Sequence, residues 1–197
     1  GKWDFRLARP LHRLRGQVAG LLALGRISRT LAAKLQALGL EVLAFDPLLK
    51  QRQASACGVT LVTLPELLGA CDYLINLAPL NAHTRHLIGA DELRLIKPTA
   101  QIISVSRGGV IEDAALLQAL QEGRLAGAAL DVREVEPPPA RDALLALENV
   151  IHTPHMAFYS EEALAQLNAE TMREAVRVLQ GGRPRSVVNG GVVARRV

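Results

Sequence analysis

Arg107 stands at a point where the chain changes character. Before it runs an apolar stretch, Gln101-Ile-Ile-Ser-Val-Ser106, and after it come Gly108, Gly109 and a helix start. The stretch is short and β-branched, which suits a buried strand. In open α/β sheets, ligands bind in the crevice outside the carboxyl ends of the strands. Arg107 is therefore expected at the lip of such a crevice, held by a strand and a Gly-Gly turn. The plainer alternative is a surface arginine capping a strand.

A second group lies near the start of the chain. The turn Ala23-Leu-Gly-Arg-Ile-Ser28 follows the apolar run from Val18 and precedes a helical stripe. A dinucleotide fingerprint, G-x-G-x-x-G, belongs in that strand–turn–helix context. Here only the middle glycine, Gly25, is present. That position matters most for a ligand, because a missing Cβ lets a pyrophosphate approach the helix N-terminus. Ala23 replaces the glycine of the tight turn, and Ser28 the one that allows close helix–strand packing. Asp46 ends the next strand 21 residues after Gly25, near the spacing of an acid that binds the adenosine ribose. Its carboxylate repels a 2′-phosphate, and no arginine follows immediately, so NAD is favoured over NADP.

The elements that position these residues alternate. Strands are expected at 18–24, 41–46, 60–62, 73–78, 101–106, 127–132 and 149–153. Helices are expected at 26–38, 50–56, 65–70, 113–122 and from a Ser160 cap to about 180, with two short helical pieces between 79 and 100. Ile27, Leu31, Leu35 and Leu38 form the stripe of the first helix, and Leu164, Leu167, Thr171, Ala175 and Val178 that of the last. Alternation of this kind argues for an α/β fold with a mostly parallel sheet and helices on both faces.

Composition narrows the partners. The net charge of +4 is uneven: residues 1–30 hold seven Lys/Arg against one acid, and 183–197 hold four Arg and no acid. A nucleic-acid footprint should instead lie on one folded face, so no nucleic-acid partner is expected. The longest apolar runs, such as Val18 to Leu24, fall far short of a membrane span. Cys57 and Cys71 form no CxxC pair, and no metal set is evident. Two reduced thiols fit a cytoplasmic protein. The chain does not begin with Met, so it is expected to be part of a longer one.

From about Leu14 to Asn189 the sequence resembles the D-isomer-specific 2-hydroxyacid dehydrogenases, specifically their NAD-binding domain. The resemblance is carried by A-L-G-R-I-S at 23–28, F-D-P at 45–47 and S-R-G-G-V-I-E-D at 106–113. G-R-L-A-G-A-A-L-D-V-R-E-V-E-P at 123–137 and T-P-H-M-A-F-Y-S-E-E-A at 153–163 complete it. It implies a Rossmann-type doubly wound domain over 17–182, entered by a lead-in at 1–16 and followed by an irregular tail at 183–197. It implies a catalytic triad: Arg107 gripping a 2-oxo acid, His155 exchanging the proton, and Glu136 holding the imidazole and favouring its charged form. It also implies NAD contacts at Gly25, Arg26, Ile27, Asp46, Pro79, Thr84, Ser106, Arg107, Asp131 and His155. Asp131 would meet the nicotinamide carboxamide. The implied substrate is a small 2-hydroxy or 2-oxo acid, and the implied assembly a homodimer built through a helix near residues 84–96.

The sequence departs from the family at several points. Ala23 and Ser28 stand where glycine is usual. Leu77 replaces a frequent histidine, and Ser104-Val-Ser106 a common Asn-Thr-Ala. The family's second, substrate-closing domain is largely absent from these residues. The altered glycine turn leaves open an alternative, a non-catalytic NAD-sensing or scaffold protein of the same fold.

Overall fold

The computed structural model describes residues 3–4 and 11–187. The remainder of the lead-in and the tail beyond Val187 lie outside the described residues. The chain divides after His155 into two compact units.

The first unit is built on a seven-stranded sheet in the order β3-β2-β1-β4-β5-β6-β7. The strands are β1 (Val18–Leu22), β2 (Glu41–Phe45), β3 (Thr60–Leu61), β4 (Tyr73–Asn76), β5 (Gln101–Ser104), β6 (Gly127–Leu130) and β7 (Val150–His152). All six neighbouring pairs are parallel. Each strand ends earlier than the apolar pattern suggests. The apolar residues just past the ends, such as Leu24, Ala78 and Val132, stay buried but belong to loops.

Between the strands lie α1 (Arg26–Ala37), α2 (Gln51–Ser55), α3 (Leu64–Ala70), α4 (Ala90–Leu93) and α5 (Asp113–Gln121). Two hydrophobic clusters result. One gathers Leu67, Leu74, Ile102 and Leu116; the other gathers Leu21, Ala32, Val42 and Ile75. Alternate residues of a strand face opposite sides of a sheet, and Leu74 and Ile75 fall in different clusters. Aliphatic packing of this kind suits a chain with only 3% aromatic residues.

Two expectations are corrected. In α1 the buried residues are Ser28 and Ala32, with Leu31 and Leu35 packed beside them, while Ile27 is 73% and Leu38 57% exposed. The small residues face the sheet because the helix lies close to it. The 84–96 region is not one helix. His86 adopts φ 51°, Ile88 bridges to Ile111, and only α4 after Gly89 is helical.

The second unit contains α6 (Glu161–Leu179), capped by the Ser160 hydroxyl, which accepts from the Ala163 amide at 3.0 Å. Two ion pairs one turn apart, Arg173–Glu170 and Arg177–Glu174, run along it. None of its residues is buried, so its apolar stripe forms no core.

Asp72 ties the entry of β1 to β4. One oxygen accepts the Val18 amide at 2.8 Å, and the other meets Lys97 Nζ at 2.9 Å. Burial raises the carboxyl pKa, but the Lys97 hydrogen bond and the Val18 amide outweigh it, and the net shift is downward. A depressed folded pKa gives stability that is present above the unfolded value, about 3.9, and is lost as pH falls through the folded value. Asp72→Asn is therefore expected to cost stability at pH 7 and less at pH 3. Urea midpoints at the two pH values measure this; an equal loss at both would refute it.

Candidate active site

Six parallel pairings bring every loop that follows a strand to one edge, where the sequence placed its candidate residues. At β1 the chain leaves the sheet through Ala23, at φ 70°. That is the left-handed region, where glycine is at ease and alanine is strained. The strain that alanine brings to this turn is held in place. The Ala23 amide donates to the Phe45 carbonyl at 2.9 Å, and the Leu24 amide to Asp46 Oδ2 at 2.9 Å. Gly25 is the N-cap of α1, and a Cβ built on it would meet nothing within 4 Å. Open space beside unpaired first-turn amides is what a pyrophosphate requires. Ser28 is 1% exposed, so the third fingerprint position takes a hydroxymethyl group within the packing.

Asp46 serves the turn as well as facing it. Its other oxygen accepts the Leu48 amide at 3.0 Å. An ionised carboxylate offers about four acceptor sites, so two bonds leave capacity for ribose hydroxyls. Arg26 and Ile27, in the first turn of α1, are both exposed beside it.

Thr84 and Ser106 each hold a carbonyl of the chain leaving β4. Thr84 Oγ1 donates to the Pro79 carbonyl and Ser106 Oγ to the Ala78 carbonyl, both at 2.6 Å. Asn76, fully buried at the end of β4, binds Ser104 Oγ at 3.0 Å and reaches the Arg107 carbonyl at 3.5 Å. Sequence reasoning did not single out Asn76. Its signal was a lone amide ending an apolar strand. Arg107 itself is exposed, and its Nη1 donates to the adjacent Ser106 carbonyl at 2.7 Å.

Glu136 and His155 come together across 19 residues of sequence. His155 Nδ1 lies 2.6 Å from Glu136 Oε2. A charged carboxylate only accepts, so Nδ1 carries the proton in this contact and Nε2 is left for other partners. The backbone of His155 is at φ 50°, and its amide donates to the Asp131 and Thr153 carbonyls at 2.9 and 3.0 Å. Strained residues held this firmly cluster at functional sites. Glu136 Oε1 accepts the Arg133 amide at 2.9 Å. Partial burial pushes the Glu136 pKa up, but the His155 hydrogen bond and the Arg133 amide outweigh it and leave it below the usual value. Asp131 is 5% exposed, and its Oδ1 accepts from Thr153 Oγ1 at 2.6 Å. Asp131, Glu136, Pro137, Thr153 and His155 border a cavity of about 380 Å³.

Of the expected triad, the structure thus joins Glu136 and His155 directly. Arg107 sits on the same sheet edge, with its guanidinium turned onto its own strand end. No group of His, Cys, Asp or Glu among the described residues could hold a metal ion, and no described helix is long and apolar enough to cross a membrane.

Residues 1–157 match the family model for the D-isomer specific 2-hydroxyacid dehydrogenase, NAD binding domain. The chain belongs to this family. It is 37% identical over 190 residues to a D-3-phosphoglycerate dehydrogenase of Methanocaldococcus jannaschii, covering 96% of this chain and 36% of that protein. A glyoxylate reductase of Korarchaeum cryptofilum is 36% identical over 181 residues, covering 92% and 54%. The NAD-complexed D-isomer specific 2-hydroxyacid dehydrogenase of Lactobacillus delbrueckii ssp. bulgaricus superposes with a TM-score of 0.84 at 28% identity, covering 95% and 60%. The chain therefore spans between about a third and three-fifths of these relatives. What it carries is the family's NAD-binding domain, and the Gly25 turn and Asp46 fit that cofactor.

The strained turn yields a test. A left-handed alanine costs ~1–2 kcal/mol, and glycine's extra freedom in the unfolded chain takes back ~0.4–1 kcal/mol. Ala23→Gly is expected to stabilise the fold by roughly 1 kcal/mol or less and to tighten NADH binding. Denaturant unfolding and calorimetric titration measure the two effects; a loss in both would count against the strain.

Proposed function

We propose that this chain is the cofactor-binding part of an NAD-dependent dehydrogenase that interconverts small 2-hydroxy and 2-oxo acids. The observation that carries the reading is the 2.6 Å contact between His155 Nδ1 and Glu136 Oε2 at the ligand edge of the sheet.

Bound NADH supplies a hydride to the carbonyl carbon. The protein's residues do the rest. His155, with Nδ1 committed to Glu136, gives the Nε2 proton to the carbonyl oxygen in reduction and takes it back in oxidation. Glu136 accepts from Nδ1–H and fixes the ring plane. Arg107 swings from the Ser106 carbonyl to grip the substrate carboxylate and carbonyl oxygen, using the fork of its guanidinium. Asp131 would hold the nicotinamide carboxamide and Asp46 the adenosine ribose. Pro79, Thr84, Ser106, Arg26 and Ile27 would hold the rest of the cofactor. The nucleotide domain runs over 17–182, after the lead-in 1–16 and before the tail 183–197. A cytoplasmic homodimer completes the reading; the two free thiols, Cys57 and Cys71, fit that compartment.

The second reading is an NAD-sensing or scaffold protein, favoured by the strained Ala23 and by Ser28. The two readings separate in the full-length protein. NADH binding should appear in calorimetry, followed by turnover of at least one of glyoxylate, hydroxypyruvate and pyruvate. His155→Gln should lower kcat by roughly 10²–10⁴ with a much smaller loss of NADH affinity. Binding without turnover would select the scaffold. The 197-residue chain alone is expected to bind NADH weakly and turn over poorly, since water exclusion needs a second wall. Ordinary rates from it would contradict that expectation.

A further inference from the structure

One side chain beside the site is unlike its neighbours. Arg133 is a charged residue only 8% exposed, in the loop after β6 that also carries Glu136. Its Nε donates to Asp113 Oδ2 at 3.0 Å, at the first turn of α5. Its Nη2 forks onto both oxygens of Asp142, at 3.1 and 2.9 Å. Asp142 precedes the 3-10 turn Leu144–Ala146 and accepts the Leu144 amide at 2.9 Å. The guanidinium therefore bolts the start of the β6–β7 connection to a helix on one side and to a later part of the same connection on the other. A planar fork can bridge two carboxylates in this way, which a lysine ammonium does less well.

The backbone of the same residue has two further contacts. The Arg133 amide holds Glu136 Oε1, whose carboxylate in turn holds His155. With one oxygen tied to a fixed amide, the other is aimed at Nδ1. On the opposite side, the Arg133 carbonyl presses against Gly108, the residue after Arg107. A Cβ on Gly108 would overlap that carbonyl and stand 2.6 Å from the Glu134 nitrogen. No side chain fits there unless the two loops part.

We propose that Arg133 is the positioning residue of this site: its ion pairs fix the loop whose backbone sets both the Glu136–His155 contact and the separation of that pair from the Arg107 loop. The proposal rests on the dehydrogenase reading for its kinetic consequences, but the geometry can be tested without turnover.

Removing the guanidinium alone leaves Asp113 and Asp142 without their shared cation, so a loss of activity in Arg133→Met does not separate misplacement from unfolding. The informative variant is the full-length triple substitution Arg133→Met, Asp113→Asn, Asp142→Asn, which removes the cation and both charges together. Its Tm and NADH affinity are expected to stay near those of the wild type. Its kcat is expected to fall about 10- to 100-fold, the scale on which small misplacements act, with a smaller change in KM. Gly108→Ala, which drives the loops apart from the other side, should show the same split. The His155 Nδ1–H proton resonance, followed by NMR, should be present in the wild type and lost or broadened in the triple variant. A triple variant with wild-type kcat and an unchanged His155 resonance would overturn the proposal. So would a loss of kcat only in proportion to lost folded protein. If the wild type turns over no 2-oxo acid while the resonance behaves as stated, the dehydrogenase reading fails and the positioning role stands.

Discussion

A parallel ladder leaves every strand pointing the same way, and that constraint governs the rest of this molecule. Seven strands with six parallel pairings deliver their outgoing loops to one edge. Residues separated by more than a hundred positions, such as Gly25 and His155, must then share that edge. The order of the sheet reverses between β1 and β4, so the connections on either side run to opposite faces and a crevice opens between them. Gly25 and Asp46 lie on one side of that point, and Asn76, Ser106 and Asp131 on the other. The chemistry is gathered by topology before any side chain makes a specific contact.

Carboxylates then fix the loops. Asp46 accepts the Leu24 and Leu48 amides, Asp72 the Val18 amide, Glu134 the Asp113 amide and Glu136 the Arg133 amide. A charge-assisted bond to a backbone N–H is short, directional and stronger than a neutral one. Loops at the ends of strands have few ladder partners, and a single carboxylate can supply what the sheet no longer does. The chain's few aromatics could not have done this by packing. One consequence is that Asp46 cannot be removed without also loosening the turn at Gly25.

These facts explain what was legible. The alternation of strands and helices, the Gly25 turn and Asp46 could be read because each is written in local pattern or spacing, whereas the Arg107, Glu136 and His155 set was implied only by the family resemblance. The Arg133 cluster could not be read. Its partners lie 20 residues before and 9 after it, and an arginine between acids in a loop sequence looks like any solvated charge. Burial, a property of the folded chain, is what makes it informative. The face of α1 was misjudged for a related reason: hydrophobic periodicity marks apolar residues, whereas close packing on a sheet selects small ones, so Ser28 and Ala32 went inside and Ile27 stayed out. Strand ends were read too long because apolar residues just beyond the ladder are buried by loops that cover them.

The two halves of the site differ in how firmly they are held. His155 is pinned through its amide, its strained φ and its ring nitrogen, with Glu136 fixed in turn by a backbone donor. Arg107 is exposed and tied through one nitrogen to its neighbour's carbonyl. A guanidinium carries five N–H donors, so that contact leaves most of them free, and releasing it costs little because the carbonyl can turn to water. Proton transfer tolerates little error in distance, since a general acid must lie within hydrogen-bond reach of the atom it protonates. Gripping a carboxylate tolerates more, because charge attraction falls off slowly with distance. Rigidity therefore lies with the Glu136–His155 pair and freedom with Arg107.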